Sequence, residues 1–150
     1  MGQINDFLAI DGVCKSLMEK ISCDFIGLAL QDKNGLNIKW HYAIGNLNEK
    51  YRLITVRFGK GIAGKVISSG SPLMIEDFPN NVLGKPIEQP IMLAENLVSS
   101  YAVPLFFKGR PKGVLLVGNR EKHSYTEDFQ SSVKESAGHL EKILSDHIVS

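Results

Sequence analysis

The run of this sequence best suited to chemistry is Gly59-Lys60-Gly61-Ile62-Ala63-Gly64-Lys65-Val66-Ile67-Ser68-Ser69-Gly70. Its glycines predict a tight turn that opens a short helix, with Gly70 ending it. The first N–H groups of any helix lack partners inside the helix, and the helix dipole adds partial positive charge at that end. At Gly61-Ile62-Ala63-Gly64 small residues let a ligand reach the backbone. Together these make an anion site that needs no charged side chain. The plainer alternative is that the glycines only shape a turn. The run also matches G-x-G-x-x-G, but the chain lacks the βαβ repeats of a dinucleotide fold, so that reading is set aside.

Other reactive side chains are sparse. Cys14 and Cys23 match neither a C-x-x-C redox pair nor a zinc pattern and read as small buried hydrophobes. His41, His123, His139 and His147 are scattered, and the last two are not spaced as an H-x-x-x-H pair, so no metal site is expected. No Gly-x-Ser-x-Gly elbow occurs. Glu76 and Asp77 are neighbours on opposite faces of a strand end, which is poor geometry for a paired-carboxylate site. The chain therefore reads as a binding protein and not an enzyme. Two apolar features could enclose a ligand. Trp40, mid-strand in Ile38-Lys39-Trp40-His41-Tyr42, would wall a pocket against water, and Pro90-Ile91-Met92-Leu93 would form a lid in which Met92 is adaptable. Equally, Trp40 is ordinary core and the Pro90 segment an ordinary covered loop. Arg52 and Arg57 flank the glycine-rich turn as long-range attraction or as plain surface charge.

The elements that must position these residues follow from periodicity. Residues 4–22 predict an amphipathic helix, with Phe7, Ile10, Cys14, Leu17 and Ile21 on one face and Gly12 weakening it. Residues 25–30 and 36–44 predict a hairpin closed by Asp32-Lys33-Asn34-Gly35, with Ile38, Trp40, Tyr42 and Ile44 sharing a face. Residues 51–58 predict a strand or short extended segment, and 72–75 a short strand. The stretch 77–96 is irregular and proline-punctuated but apolar enough to fold over something, as short helices. Residues 99–107 and 112–118 predict a second hairpin turned at Lys108-Gly109-Arg110-Pro111. Residues 126–148 predict a closing helix capped by Thr126, with Phe129, Val133, Ala137, Leu140 and Leu144 as its stripe. The order predicts an α+β fold: one antiparallel sheet, the N- and C-terminal helices on one face, the short helix and the irregular stretch on the other.

The bulk composition excludes several classes. With 150 residues, 43 % hydrophobic and 22 % charged, the chain suits a single globular domain over residues 1–150. Seventeen basic and sixteen acidic side chains leave a net charge of +1, which argues against nucleic acid or an anionic membrane as partner. No apolar run reaches the roughly 18–20 residues that span a bilayer, and no secretory signal opens the chain. A cytoplasmic location is expected.

This order and its punctuation resemble the GAF domain family over nearly the whole chain. The resemblance is carried by the glycine-rich run 59–66, then Pro72-Leu73-Met74-Ile75-Glu76-Asp77, Ala102-Val103-Pro104-Leu105, Gly113-Val114-Leu115, Gly118-Asn119-Arg120 and Tyr125-Thr126-Glu127-Asp128. It implies an antiparallel sheet with a ligand pocket on one face and terminal helices on the other. Trp40, Ile62-Ala63-Gly64 and Pro90-Ile91-Met92 resemble the stand-alone nitrate-receptor type, which works with a sensor histidine kinase in the Nre two-component system. That likeness implies a pocket formed by Trp40, Gly61, Ile62, Ala63, Gly64, Pro90, Ile91 and Met92. Its ligand would be nitrate, with no cofactor.

The chemistry agrees: a flat, delocalised anion loses less on dehydration than sulfate or phosphate, and no arginine in these motifs offers a fork to a dianion. The chain shows no output module, so the signal would pass to a separate protein, with residues 79–97 as the candidate moving element. Ile143, Leu144 and Ile148, with Met18, could serve a homodimer or the kinase contact. Two alternatives stay open. Free methionine-R-sulfoxide reductases look similar but need pocket cysteines, and Ala63 stands where that family would place one. Cyclic-nucleotide GAF domains carry an Asn-Lys…Phe…Asp-Glu signature, of which only Asn119-Arg120 is suggestive.

Overall fold

The computed structural model describes residues 2–78, 80 and 85–148. In chain order the elements are α1 (Gly2–Ile21), β1 (Phe25–Gln31), β2 (Asn37–Ile44), a 3-10 turn (Lys50–Leu53), β3 (Thr55–Arg57), α2 (Gly61–Ser69), β4 (Leu73–Ile75), a second 3-10 turn (Pro86–Glu88), α3 (Pro90–Ala94), β5 (Ser99–Phe107), β6 (Arg110–Asn119) and α4 (Glu127–Ile148). The strands form one six-stranded sheet in the order β3-β2-β1-β6-β5-β4. Every neighbouring pair is antiparallel. Both hairpins turn where their glycines predict.

Each face of the sheet carries its own apolar layer, as the period-2 alternation of half-buried strands requires. On one face α1 and α4 pack through Ile10, Cys14, Leu17, Phe129, Val133 and Leu140 against Ile26, Leu28, Tyr101, Leu115 and Val117. Thr126 caps α4: its hydroxyl accepts the Phe129 N–H at 3.2 Å. On the other face α2 and α3 cover Phe25, Ala29, Ile38, Trp40, Ala102, Val114 and Leu116. The architecture is the α+β arrangement expected from the sequence.

Two local readings need correction. The start of the strand or extended segment expected over residues 51–58 instead belongs to the first 3-10 turn, Lys50–Leu53, and β3 is only Thr55–Arg57. More consequential, Ile38, Trp40, Tyr42 and Ile44 do not share a face. The register of β1 against β2 shifts between Leu28 and Ala29, so that Leu28 faces Tyr42 while Ala29 faces Trp40. His41 is the extra residue of this bulge, and a bulge re-aims the side chains on either side of it. Ile38 and Trp40 join the α2 side. Tyr42 and Ile44 join the helix-pair side. There the Tyr42 hydroxyl donates to Asp11 Oδ1 at 2.6 Å. That bond and the Lys15 ammonium hold the Asp11 carboxyl below its usual range.

Candidate functional site

The start of α2 is fixed by backbone geometry that favours glycine. Gly61 has φ +64°, the left-handed region. At Gly64 a Cβ would overlap the Arg57 carbonyl oxygen, so the helix can lie directly against the end of β3. Three backbone bonds lock this corner: Lys60 N–H to the Arg57 carbonyl at 2.8 Å, Gly59 N–H to the Gly64 carbonyl at 3.0 Å, and Gly64 N–H to the Lys60 carbonyl at 2.9 Å.

The helix that results is nine residues long and carries no side-chain cap at Lys60. Among the described residues nothing accepts from the N–H groups of Gly61, Ile62 or Ala63. Gly61, Ile62, Ala63 and Gly64 are all buried, with Ile62 and Ala63 each 2 % exposed. Uncapped donors at a buried helix start are unusual, because such groups are nearly always paired.

The surroundings of this helix start are apolar. Trp40, Ile62, Ala63, Ile91 and Met92 belong to one buried cluster. Trp40 lies across Gly27, whose absent side chain makes room for it: a Cβ there would stand 3.0 Å from Trp40 Cζ3 and 2.9 Å from Phe25 Cε2. Pro90 opens α3 at its first turn, where its missing N–H costs nothing. Ile91 and Met92 on that helix are fully covered. The segment before α3 crosses the start of α2, with the Glu88 carbonyl 3.3 Å from where a Gly61 Cβ would be.

Outside this layer lies an open hollow of about 420 Å³, lined among others by Arg57, Lys60, Gly61, Lys65, Glu88 and Pro90. Three cations against one carboxylate give its mouth a positive balance. Arg57 thus faces the hollow, whereas Arg52 is bound to Glu49 at 2.7 Å on the surface.

All eight residues singled out from the sequence therefore lie at the α2–α3 side of the sheet. Seven are grouped by burial or by the helix start itself, and two of the eight, Gly61 and Pro90, border the hollow. Pro79 and Asn81–Gly84 of the expected moving element lie outside the described residues, as does the side chain of Ile148.

Two polar residues of this region escaped sequence reasoning. Glu95 is fully buried and bound to Arg120 at 2.8 Å. The Arg120 guanidinium also donates to the carbonyls of Glu95 (2.9 Å) and Gly45 (3.0 Å). Leu47 N–H donates to the same carboxylate at 2.8 Å. Gln89 is 3 % exposed, and its Oε1 has no partner among the described residues. Both sit in the stretch without periodicity, where only the composition hint of polar residues among Ile87, Ile91, Met92 and Leu97 was available.

The cysteines lie elsewhere. Cys14 and Cys23 are buried in the helix-pair layer. Burial pushes each thiol up to about 12. Among the described residues no group of His, Cys, Asp and Glu could hold a metal ion. None of the helices described is long and apolar enough to cross a membrane.

The GAF domain family model matches residues 9–145, and the chain belongs to that family. A form of the NreA protein of Staphylococcus aureus mutated in its nitrate binding site is 33 % identical, with a TM-score of 0.73, over 87 % of this chain and 99 % of that one. A hypothetical protein from S. aureus is 37 % identical, with a TM-score of 0.66, over 72 % of this chain and 90 % of the other. A free methionine-R-sulfoxide reductase from Neisseria meningitidis shares the fold at 22 % identity, with a TM-score of 0.72, over 94 % of this chain and 81 % of its own. No curated protein matches the chain.

Proposed function

We propose that this chain is a cytoplasmic nitrate sensor whose single ligand site is the start of α2, covered by Pro90, Ile91 and Met92 and walled by Trp40. The observation that carries the reading is the uncapped, buried helix start formed by Gly61, Ile62, Ala63 and Gly64. Its N–H donors suit an acceptor-only anion, and the apolar surroundings suit one that is weakly hydrated. The likeness to NreA, whose nitrate binding site is named with it, supports the same ligand. Arg57, Lys60 and Lys65 at the hollow would raise the local anion concentration without touching the bound ion.

Binding energy is the whole of the activity in this reading. Nitrate has so few atoms that its affinity is capped near a Kd of order tens of micromolar, from about −1.5 kcal/mol per atom. Such a ligand shifts a conformational equilibrium by its preference for one of two states. The receiving partner, by the family resemblance, is a sensor histidine kinase of a two-component system, whose autophosphorylation the ligand-free form suppresses. A homodimer through the terminal helices is compatible with this role. Reductase chemistry is disfavoured by the cysteines: they lie across the sheet from the α2 start, and a thiol pushed up to about 12 is not a ready nucleophile.

Titration calorimetry of the purified protein tests the ligand. Saturable binding of nitrate in the micromolar-to-millimolar range is expected. Silence toward nitrate with a clear signal for a cyclic nucleotide would reject the reading. Co-purification with the kinase, with and without nitrate, tests the output, and equal binding and equal autophosphorylation in both states would refute the switch.

A further inference from the structure

The open hollow outside the α2 corner has an unbalanced wall. Arg57 from the end of β3, Lys60 from the turn and Lys65 from α2 all line it. Among the described residues none of the three has an ion pair, whereas Lys15, Lys20, Lys39, Arg52 and Arg120 each have a carboxylate within reach. Glu88 is the one acidic residue in the lining, and its Oε1 already accepts the Lys85 N–H at 3.2 Å. In a chain of net charge +1 this is a local excess and not the general character of the surface.

The same wall is partly apolar. Val56 and Ile87 line it beside the cations, and Ile87 is 74 % exposed. The two sides of the hollow come from different parts of the fold. One is the β3–α2 corner, locked by its backbone bonds. The other is the segment Ile87-Glu88 that leads through Gln89 into Pro90 and α3.

We propose that this hollow is a docking surface for an acidic segment of a partner protein, one that sets carboxylates against Arg57, Lys60 and Lys65 and an apolar side chain against Ile87. Charge complementarity selects the occupant. A nucleic-acid strand carries charge at every step, so it would meet Glu88 and leave Ile87 unused. An anionic membrane is held by clusters of about four to eight cations, more than stand here. A peptide can alternate acidic and apolar side chains to match a mixed wall, and such matching fixes register and speeds encounter. A segment bridging both sides of the hollow reads the placement of α3 against the α2 corner without entering the ligand site. The proposal goes beyond the reading above by naming the receiving surface and its chemistry, and it stands whether or not the ligand is nitrate.

The test selects peptides from a random phage-displayed library on the immobilised protein. The most enriched peptide is synthesised with a fluorescent label and titrated by anisotropy. Two variants are compared with the unaltered protein: the charge reversal Arg57→Glu, Lys60→Glu, Lys65→Glu, and Ile87→Ser alone. The enriched sequences should be rich in Asp and Glu around a large apolar residue. Affinity should fall by about tenfold or more in the charge reversal and by several-fold in Ile87→Ser. It should also weaken as sodium chloride is raised, as exposed charge pairs do.

Enrichment without an acidic excess, or no enrichment above background, would overturn the proposal. So would affinities within about twofold of the unaltered protein in both variants. Displacement of the peptide by inorganic phosphate or by a duplex oligonucleotide at lower concentration than the peptide itself needs would overturn it in favour of those occupants. Should the triple variant fail to fold, Ile87→Ser and the salt dependence decide. Nitrate calorimetry on the same sample keeps the two readings apart: nitrate binding without peptide binding removes only this surface, and peptide binding without nitrate binding removes only the ligand reading.

Discussion

Replacing Gly64 by alanine tests the geometry of the helix start, because the same exchange at Gly12 should have the opposite sign. A Cβ on Gly64 would overlap the Arg57 carbonyl oxygen and stand 3.0 Å from Gly59 N and 3.2 Å from Gly59 C. All three are backbone atoms held by the hydrogen bonds of the corner, so no flexible side chain can yield. Overpacking of this kind costs about 1–3 kcal/mol, and the rigidity of the neighbours places Gly64 at the upper end. Alanine's better helix propensity returns about 1 kcal/mol, leaving a net loss of about 2 kcal/mol. Gly12, in contrast, lies exposed within α1 with nothing within 4 Å of an added Cβ. There only the propensity acts, and Gly12→Ala should gain about 1 kcal/mol.

Urea unfolding reads both, provided the slope is unchanged. In thermal melting the pair should separate by about 6–12 °C, at about 2–4 °C per kcal/mol for a chain of this size. Nitrate affinity should fall in Gly64→Ala and stay put in Gly12→Ala. Equal stability of Gly64→Ala and the unaltered protein would refute the close approach of α2 to β3, and with it the glycine corner from which the helix starts.

Two further outcomes follow from buried groups. Arg120→Met should cost about 3–5 kcal/mol in urea unfolding, because it strands the fully buried Glu95 carboxylate; the double variant with Glu95→Gln should recover most of that, and a loss under about 1 kcal/mol in the single variant would contradict a pairing role. The thiols of Cys14 and Cys23 are pushed up to about 12 by burial, above their unfolded value. The folded state then holds protons that the unfolded state releases, so this contribution is complete below about pH 8.5 and falls as pH rises toward 12, by up to about 1.4 kcal/mol per unit and thiol. Replacing either cysteine by alanine should flatten the alkaline limb of a stability–pH profile, and an unchanged limb would refute it.

Much of the fold was legible because its signals are local. Asn34-Gly35 closes one hairpin, Gly109 the other, Thr126 caps α4, and the stripes of α1 and α4 mark the covered face. The bulge at His41 was not legible. Alternation alone puts Trp40 and Tyr42 on one face, and only the register against β1 separates them. The 3-10 turn at Lys50–Leu53 was missed because Tyr51, Leu53 and Ile54 imitate a strand. In the site, the backbone donors of α2 could be read from small residues at its start. Gln89 and the Glu95–Arg120 pair could not, since their partners or lack of partners arise from chain segments brought together only by the fold.

The central claim is that the first N–H groups of α2 receive an anion. Amide NMR of the uniformly ¹⁵N-labelled protein, titrated with sodium nitrate against sodium chloride at matched ionic strength, reads those groups one by one. Saturable shifts led by Ile62 and Ala63, with one Kd shared by both and absent with chloride, are the predicted result. Shifts confined to the neighbours of Arg57, Lys60 and Lys65, or no saturation at all, would contradict it.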